Sequence, residues 1–204
     1  MVPTKPNKHD LRTKETRELL LRAAETIFVR DGYEGTELGE VATLAGRTKG
    51  AIYAHFKSKE EVFLALVEQK AQQYRVQMWA MLAASETIEQ NVAAFRRFYL
   101  TLAEDQTWAL LLLEFKLFAI RHPDSKERLR KLFDEISGED HEKRLAHLLG
   151  PAGRGKDTLS RAMVVQVMQP ILSGLAIEAR FVPDVLDERA VRKIAGRVFD
   201  ALLR

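Results

Sequence analysis

The chain has no cysteine among its 204 residues. That absence removes disulfides, thiolate metal sites and cysteine nucleophiles together, and it suits a reducing cytoplasm. Long apolar runs are missing as well. The most apolar stretch, "WALLLLEFKLFAI", is broken by Glu114 and Lys116 and is too short to cross a bilayer. The N-terminus, MVPTKPNKHDLRTK, lacks the apolar centre of a signal peptide. The expectation is a cytoplasmic chain with no membrane partner. The alternation that marks half-buried strands is also absent, and almost every segment repeats at helical spacing.

One further scarcity is local. From Val41 to Lys59 there is no acid, while Arg47, Lys49, Lys57 and Lys59 supply four cations. The whole chain is only +3, so everything outside this stretch sums to −1. A second excess of +3 lies in the N-terminal arm, where Lys5, Lys8, Arg12, Lys14 and Arg17 face Asp10 and Glu15. Positive charge is thus gathered at one end of an otherwise near-neutral chain, as expected if that end meets a polyanion. The remaining composition, 46% hydrophobic and 30% charged, is that of a soluble globule with a substantial core.

Capping and breaking residues divide the chain into helices. The spacing predicts a first helix over 12–31, with Leu20, Ala24, Ile27 and Phe28 on one face and Gly32 as its stop. A short helix over 38–44 follows, with Thr36 as its expected N-cap and Glu37 and Glu40 near its first turn. Gly46 breaks the chain, Thr48 caps a helix over 49–56, and Ser58 with Glu61 forms a capping box opening a helix toward Leu82. Beyond these, Ile88, Val92, Phe95, Tyr99 and Leu102 mark an amphipathic helix. Trp108, Leu112, Phe115 and Phe118 mark one buried on most sides and ended by His122-Pro123. Leu129, Leu132, Phe133 and Ile136 begin another, "GPAGRGKD" is a loop, and helices over 158–181 and 187–203 close the chain. The expected fold is all-α, a three-helix head followed by a body of about six helices.

Two short helices joined by a glycine turn form a helix-turn-helix, here residues 37–56, whose second helix enters the DNA major groove. Ala42 is small enough for a close helix crossing, Ile52 and Phe56 share the inward face, and Lys49 and Tyr53 share the outward one. Gly50 lowers helix stability by roughly 1 kcal/mol relative to Ala. A glycine there fits a backbone that must approach a phosphate or base edge; alternatively it merely weakens a short helix that packing holds.

The string "FVRDGYEGTELGEVATLAGRTKGAIYAHFKSKEEVF" resembles the DNA-binding domain of the TetR/AcrR family of transcriptional repressors. The resemblance implies a DNA-binding domain over 14–74 and an effector-binding and dimerisation domain over 75–204. It implies DNA contacts from Thr48, Lys49, Gly50, Ala51, Tyr53 and His55, with Lys59 on a phosphate. His55 serves either a phosphate or local packing. Arg47 departs from the family pattern, which places an apolar residue after the turn glycine. Either its stem snorkels over the same packing site, freeing its head for a phosphate, or the turn sits differently.

The resemblance further implies a homodimer built from the last two helices, with Gly174, Val191, Ile194, Val198 and Leu202 as candidate interface residues. It also implies a small apolar or amphipathic effector, held by the middle helices. Phe95, Tyr99, Trp108, Leu112, Glu114, Phe115 and Phe118 are the candidate lining, although an aromatic stripe at helical spacing is more often core. Glu114 either receives a cationic group, pairs with a nearby Arg or Lys, or reaches solvent. The expected partners are a double-stranded, palindromic operator, a second copy of the chain and the effector. An activator, or a DNA-binding protein that senses nothing, is the alternative.

Enzyme chemistry has little to stand on. His141 and His147 are six apart and lie on different helix faces. "GPAGRGKD" approaches a phosphate-binding loop, but Asp157 stands where a Ser or Thr is needed and no strand precedes it. No cofactor and no metal site are expected.

Overall fold

A computed structural model of the chain describes residues 7–123, 139–153 and 158–203. The predicted helix starting near Leu129, the break at Ser137-Gly138, and Gly155, Lys156 and Asp157 of the glycine-rich loop lie outside the described residues. So does Lys5 of the basic arm. Among the described residues the regular structure is helical throughout, in nine helices. The contacts divide the chain into two compact units, 1–69 and 70–204.

The first unit contains α1 (Lys8–Gly35), α2 (Leu38–Leu44), α3 (Lys49–His55) and the start of α4 (Lys59–Ala83). Leu20, Leu21, Ala24, Ile27 and Phe28 of α1 are buried with Val41 and Ala42 of α2 and Ile52 and Phe56 around α3. Gly32 breaks α1, with φ at 71° and ψ at 178°, a backbone available to glycine. Thr36 does not cap α2, as the sequence suggested. Its side chain is 3% exposed and turns back to donate to the Gly32 carbonyl at 2.7 Å. That bond beside the α1 break engages the hydroxyl, and Glu37 occupies the N-cap position instead.

The second unit holds the remainder of α4 with α5 (Ile88–Glu104), α6 (Gln106–Arg121), α7 (Glu139–Leu149), α8 (Arg161–Phe181) and α9 (Glu188–Leu203). Helix α5 packs on α6, α7, α8 and α9, and α8 packs on α5, α6, α7 and α9, so these two form the centre. Local capping fixes most of the starts. Thr87, Asp105, Ser160 and Asp187 accept from the backbone N–H three residues on, each such cap contributing about 1 kcal/mol.

Long-range polar contacts seal the far end of this unit. The Arg161 side chain, within a residue only 7% exposed, donates to the carbonyls of Gly150 (3.0 Å), Pro151 (3.0 Å) and Leu203 (2.7 Å). In return, Glu142 of α7 accepts from the backbone N–H of Arg161 (3.0 Å) and Ala162 (2.6 Å), satisfying the first turn of α8. This clasp joins α7, α8 and the end of α9.

Burial departs from the sequence reading at two helices. Helix α6 keeps Leu113 (40%) and Ile120 (75%) exposed, so it is buried on one side rather than on most. The longest apolar helix is α8 rather than α6. It is long and apolar enough by composition to cross a membrane, yet only 28% of its most apolar window is buried inside the chain. The helix itself was expected over 158–181, but Gln166, Gln169, Pro170 and Ser173 interrupt its apolar run along the chain.

Candidate nucleic-acid interface

The interface is built on the turn between α2 and α3. Helix α2 ends in a Schellman motif: the Gly46 N–H donates to Thr43 and the Arg47 N–H to Ala42, at 3.0 and 2.8 Å. Gly46 sits at φ 65°, where a side chain would be strained. The regular motif settles the geometry around Arg47, because the turn is not displaced by the cation. Arg47 is half-buried, and its guanidinium folds back to donate to the Gly46 carbonyl at 3.1 Å.

Thr48 then caps α3, accepting from the Ala51 N–H at 3.2 Å. With the start of α3 fixed, its faces are fixed too. Ile52 is fully buried and Phe56 is 2% exposed, whereas Tyr53 is 50% exposed and Lys49, Gly50 and Ala54 face solvent. A Cβ added at Gly50 would meet nothing closer than the Thr48 hydroxyl at 3.8 Å. The fold therefore does not require glycine at this position, and any close approach there is to something outside the chain. Ala51 and His55 are half-buried, and the His55 ring lies 6.3 Å from Phe56, at the rim of the buried face.

The capping box at the start of α4 is offset by one residue. Ser58 accepts from the Glu61 N–H at 3.1 Å, but Glu61 reaches back to the N–H of Lys57, at 2.7 Å, rather than that of Ser58. Lys59 is half-buried. Its ammonium donates to the Glu34 carbonyl at 3.0 Å and lies 4.8 Å over the Tyr33 ring, clasping α4 to the end of α1. Together these elements leave a shallow open groove of about 360 Å³, lined by Glu37, Leu38, Gly39, Lys49, Tyr53, Lys57, Ser58 and Lys59.

Three of the neighbours in this region were not singled out as site residues from the sequence. Lys57 lines the groove, and its membership of the acid-free stretch was the available signal. Glu37 lines it as well. Arg17 of the basic arm places its guanidinium 5.2 Å over the Phe56 ring, a contact between distant segments that no local pattern reveals. Arg30 pairs with Asp31 and Glu40 at 2.6 Å each, tying α1 to α2. The Arg30 guanidinium holds the Asp31 carboxyl below its usual range, but exposure leaves such a pair worth little.

The residues expected to line an effector site are placed in the body core. Phe95, Tyr99, Trp108, Leu112, Phe115 and Phe118 are all under 7% exposed. Tyr99 packs between Phe98 and Phe199, with ring centres 5.6 and 5.8 Å away. Glu114 is half-buried and has a partner within the chain. Among the residues expected at a dimer contact, Gly174 and Ile194 are exposed, Val198 and Leu202 are half-buried, and Val191 is buried within its own chain. Among the described residues no cluster of three potential metal ligands is present.

A glycine turn between a buried-anchor helix and an exposed, cationic second helix defines a helix-turn-helix head. The description "Bacterial regulatory proteins, tetR family" matches residues 20–66. That match covers the helix-turn-helix and parts of the helices that flank it. It is 45% identical over 53 residues to the transcriptional repressor BepR of Brucella suis, a match covering 26% of this chain and 25% of that one. The matched segment thus spans about a quarter of the length of such relatives. Similarity to the nicotine-responsive repressor HdnoR of Paenarthrobacter nicotinovorans extends over 94% of this chain and 95% of that one, at 25% identity. The fold is similar to that of SmeT, the repressor of the Stenotrophomonas maltophilia multidrug efflux pump SmeDEF. That similarity has a TM-score of 0.61 at 24% identity, over 93% of this chain and 90% of that one.

Proposed function

We propose that the chain is a cytoplasmic, sequence-specific DNA-binding transcriptional regulator, not an enzyme, acting as a homodimeric repressor of a palindromic operator. The observation that carries this reading is the split of α3. Ile52 and Phe56 anchor it while Lys49 and Tyr53 stand exposed one turn apart, in a stretch without acids. Anchored this way, α3 offers Lys49 to phosphate and the Tyr53 hydroxyl and ring to phosphate and thymine methyl. Thr48, Gly50 and Ala51 allow close backbone approach, and Arg47 and His55 supply flanking phosphate contacts. Lys59 acts first by holding α4 against α1, with its remaining ammonium donors left for a phosphate.

The second copy is assigned to the α8 and α9 surface. An apolar helix that its own chain buries to only 28% needs a cover. Met163, Ile171 and Phe181 of α8 and Ile194 of α9 are exposed, and a Cβ at Gly174 would meet nothing within 4 Å. Paired heads would engage successive major grooves about 34 Å apart.

An apolar or amphipathic effector, by favouring a state with the wrong head spacing, would lower operator affinity by its differential binding energy. HdnoR is described as nicotine-responsive, which supports the class of mechanism and not the ligand. A regulator without an effector is the second reading. The dense packing around Tyr99 favours it, because a ligand would have to open that core.

The test is a fluorescence titration of labelled DNA from upstream of the gene, at several salt concentrations, with Lys49→Ala and Tyr53→Ala alongside. About eight phosphate contacts per dimer give a log–log salt slope of roughly −7. Palindrome-dependent binding that both variants lose supports the reading. A flat salt response, unchanged by either substitution, sinks it. Addition of candidate effectors to the bound complex then separates the two readings.

A further inference from the structure

Glu37 is an acid in a groove that otherwise gathers cations. It occupies the N-cap of α2 with an extended backbone, yet its side chain makes no capping hydrogen bond. Helices α3, α5, α6 and α8 are capped by Thr48, Thr87, Asp105 and Ser160, the residue types whose short side chains reach the N–H groups. Helix α2 forgoes that bond. The exposed Glu37 lines the groove with Lys49, Tyr53 and Lys57. Among the described residues it makes no side-chain hydrogen bond or ion pair, while Arg30 takes the neighbouring Glu40.

A free carboxylate facing a polyanion weakens binding to every sequence alike, since it subtracts from the charge that releases counterions. It gains only where the nucleic acid presents a donor. In the major groove guanine shows two acceptors and thymine an acceptor and a methyl. Adenine's amino group sits beside the N7 acceptor, and cytosine offers its N4 amino group, to which Glu is suited. A lone carboxylate therefore selects cytosine and repels guanine.

We infer that Glu37 is a specificity-determining residue, accepting a hydrogen bond from the amino group of a cytosine at one position of each half-site. The inference rests on the reading of the head as a DNA-binding module. It assigns sequence readout to the start of α2 in addition to α3, and it trades general affinity for discrimination. A purely local role, an acid favouring the α2 dipole, predicts a change in melting temperature without a change in preference.

The experiment uses the full chain, wild type, Glu37→Gln and Glu37→Ser, the last restoring a capping residue. Each selects from a pool of randomised duplexes, and the selected and random duplexes are then titrated. The wild type is expected to fix a cytosine at one position per half-site and to lose about 10-fold or more when it becomes guanine, within the range a mismatched base pair costs. In Glu37→Ser that penalty falls below about 2-fold, and affinity for random DNA rises several-fold in both variants. Selected sites identical in all three proteins overturn the inference. So does a uniform rise that leaves the ratio of specific to random binding unchanged, or a lower melting temperature with the preference kept. A wild type that binds no duplex at any salt removes the DNA-binding reading itself, an outcome distinct from these.

Discussion

Replacing Arg161 with Met should loosen the whole body. The side chain satisfies the carbonyls of Gly150, Pro151 and Leu203 from a site that is 7% exposed. Hydrogen bonds to a charged donor contribute about 1.5–3 kcal/mol each, but three on one guanidinium are not independent. Met fills much of the volume and leaves the carbonyls unpaired, for an expected loss of about 3–5 kcal/mol. For a unit the size of 70–204, at about 4 °C per kcal/mol, the transition should fall by about 12–20 °C. Both tryptophans, Trp79 and Trp108, lie in this unit, so intrinsic tryptophan fluorescence at fixed protein concentration follows the body alone. Arg161→Lys, which keeps the charge but not the planar fork, should recover only part of the loss. A shift below about 3 °C for Arg161→Met would mean that water replaces the guanidinium freely and that the clasp contributes little.

Adjacent positions on α3 should separate stability from recognition. Ile52→Ala should cost the head about 2–5 kcal/mol, while Tyr53→Ala should cost under about 1 kcal/mol and still abolish specific DNA binding. Circular dichroism melts beside DNA titrations check both, and equal melting losses would contradict the assignment of faces. Thr36→Val removes the bond to the Gly32 carbonyl and should lower the head's melting point by about 4–8 °C. Gly196→Ala places a Cβ 2.3 Å from the Arg96 guanidinium, displacing it from Asp200. That pair is well exposed, and the gain in helix propensity is about 1 kcal/mol, so denaturant melts should show a change within about 1 kcal/mol. Burial holds the Tyr99 phenol protonated well above its usual range. The unfolded chain ionises first, so body stability should hold up to about pH 10 and fall above it, less steeply in Tyr99→Phe.

The head was legible because its signals are local. Thr48 three residues before Ala51, Gly46 at the turn, and the four-residue step from Ile52 to Phe56 each act within one helical turn. Where a residue's partner is distant, sequence misled or was silent. Thr36 was misread even at short range, because two local partners competed for its hydroxyl and the Gly32 carbonyl, four residues back, took it. Lys59 was expected on a phosphate, and its contacts with Glu34 and Tyr33 at the end of α1 had no local signal. Arg161 bonds residues as far away as Leu203, and nothing near it in the chain announces this. Helix α8 was underestimated for a different reason. Its polar residues interrupt the apolar run along the chain, whereas on the helix surface Met163, Ile171 and Phe181 remain exposed.

If a second copy covers α8, as proposed above, the fate of the chain is tied to its abundance. A protomer that must find a copy of itself to hide this helix is most vulnerable when few copies exist, and its apparent stability should rise with concentration. Gene dosage would then set both how much regulator is made and how much of it survives. A copy with a disabled α3 but an intact α8 would capture functional partners, so loss of the head should behave as a dominant trait and loss of the whole chain as a recessive one.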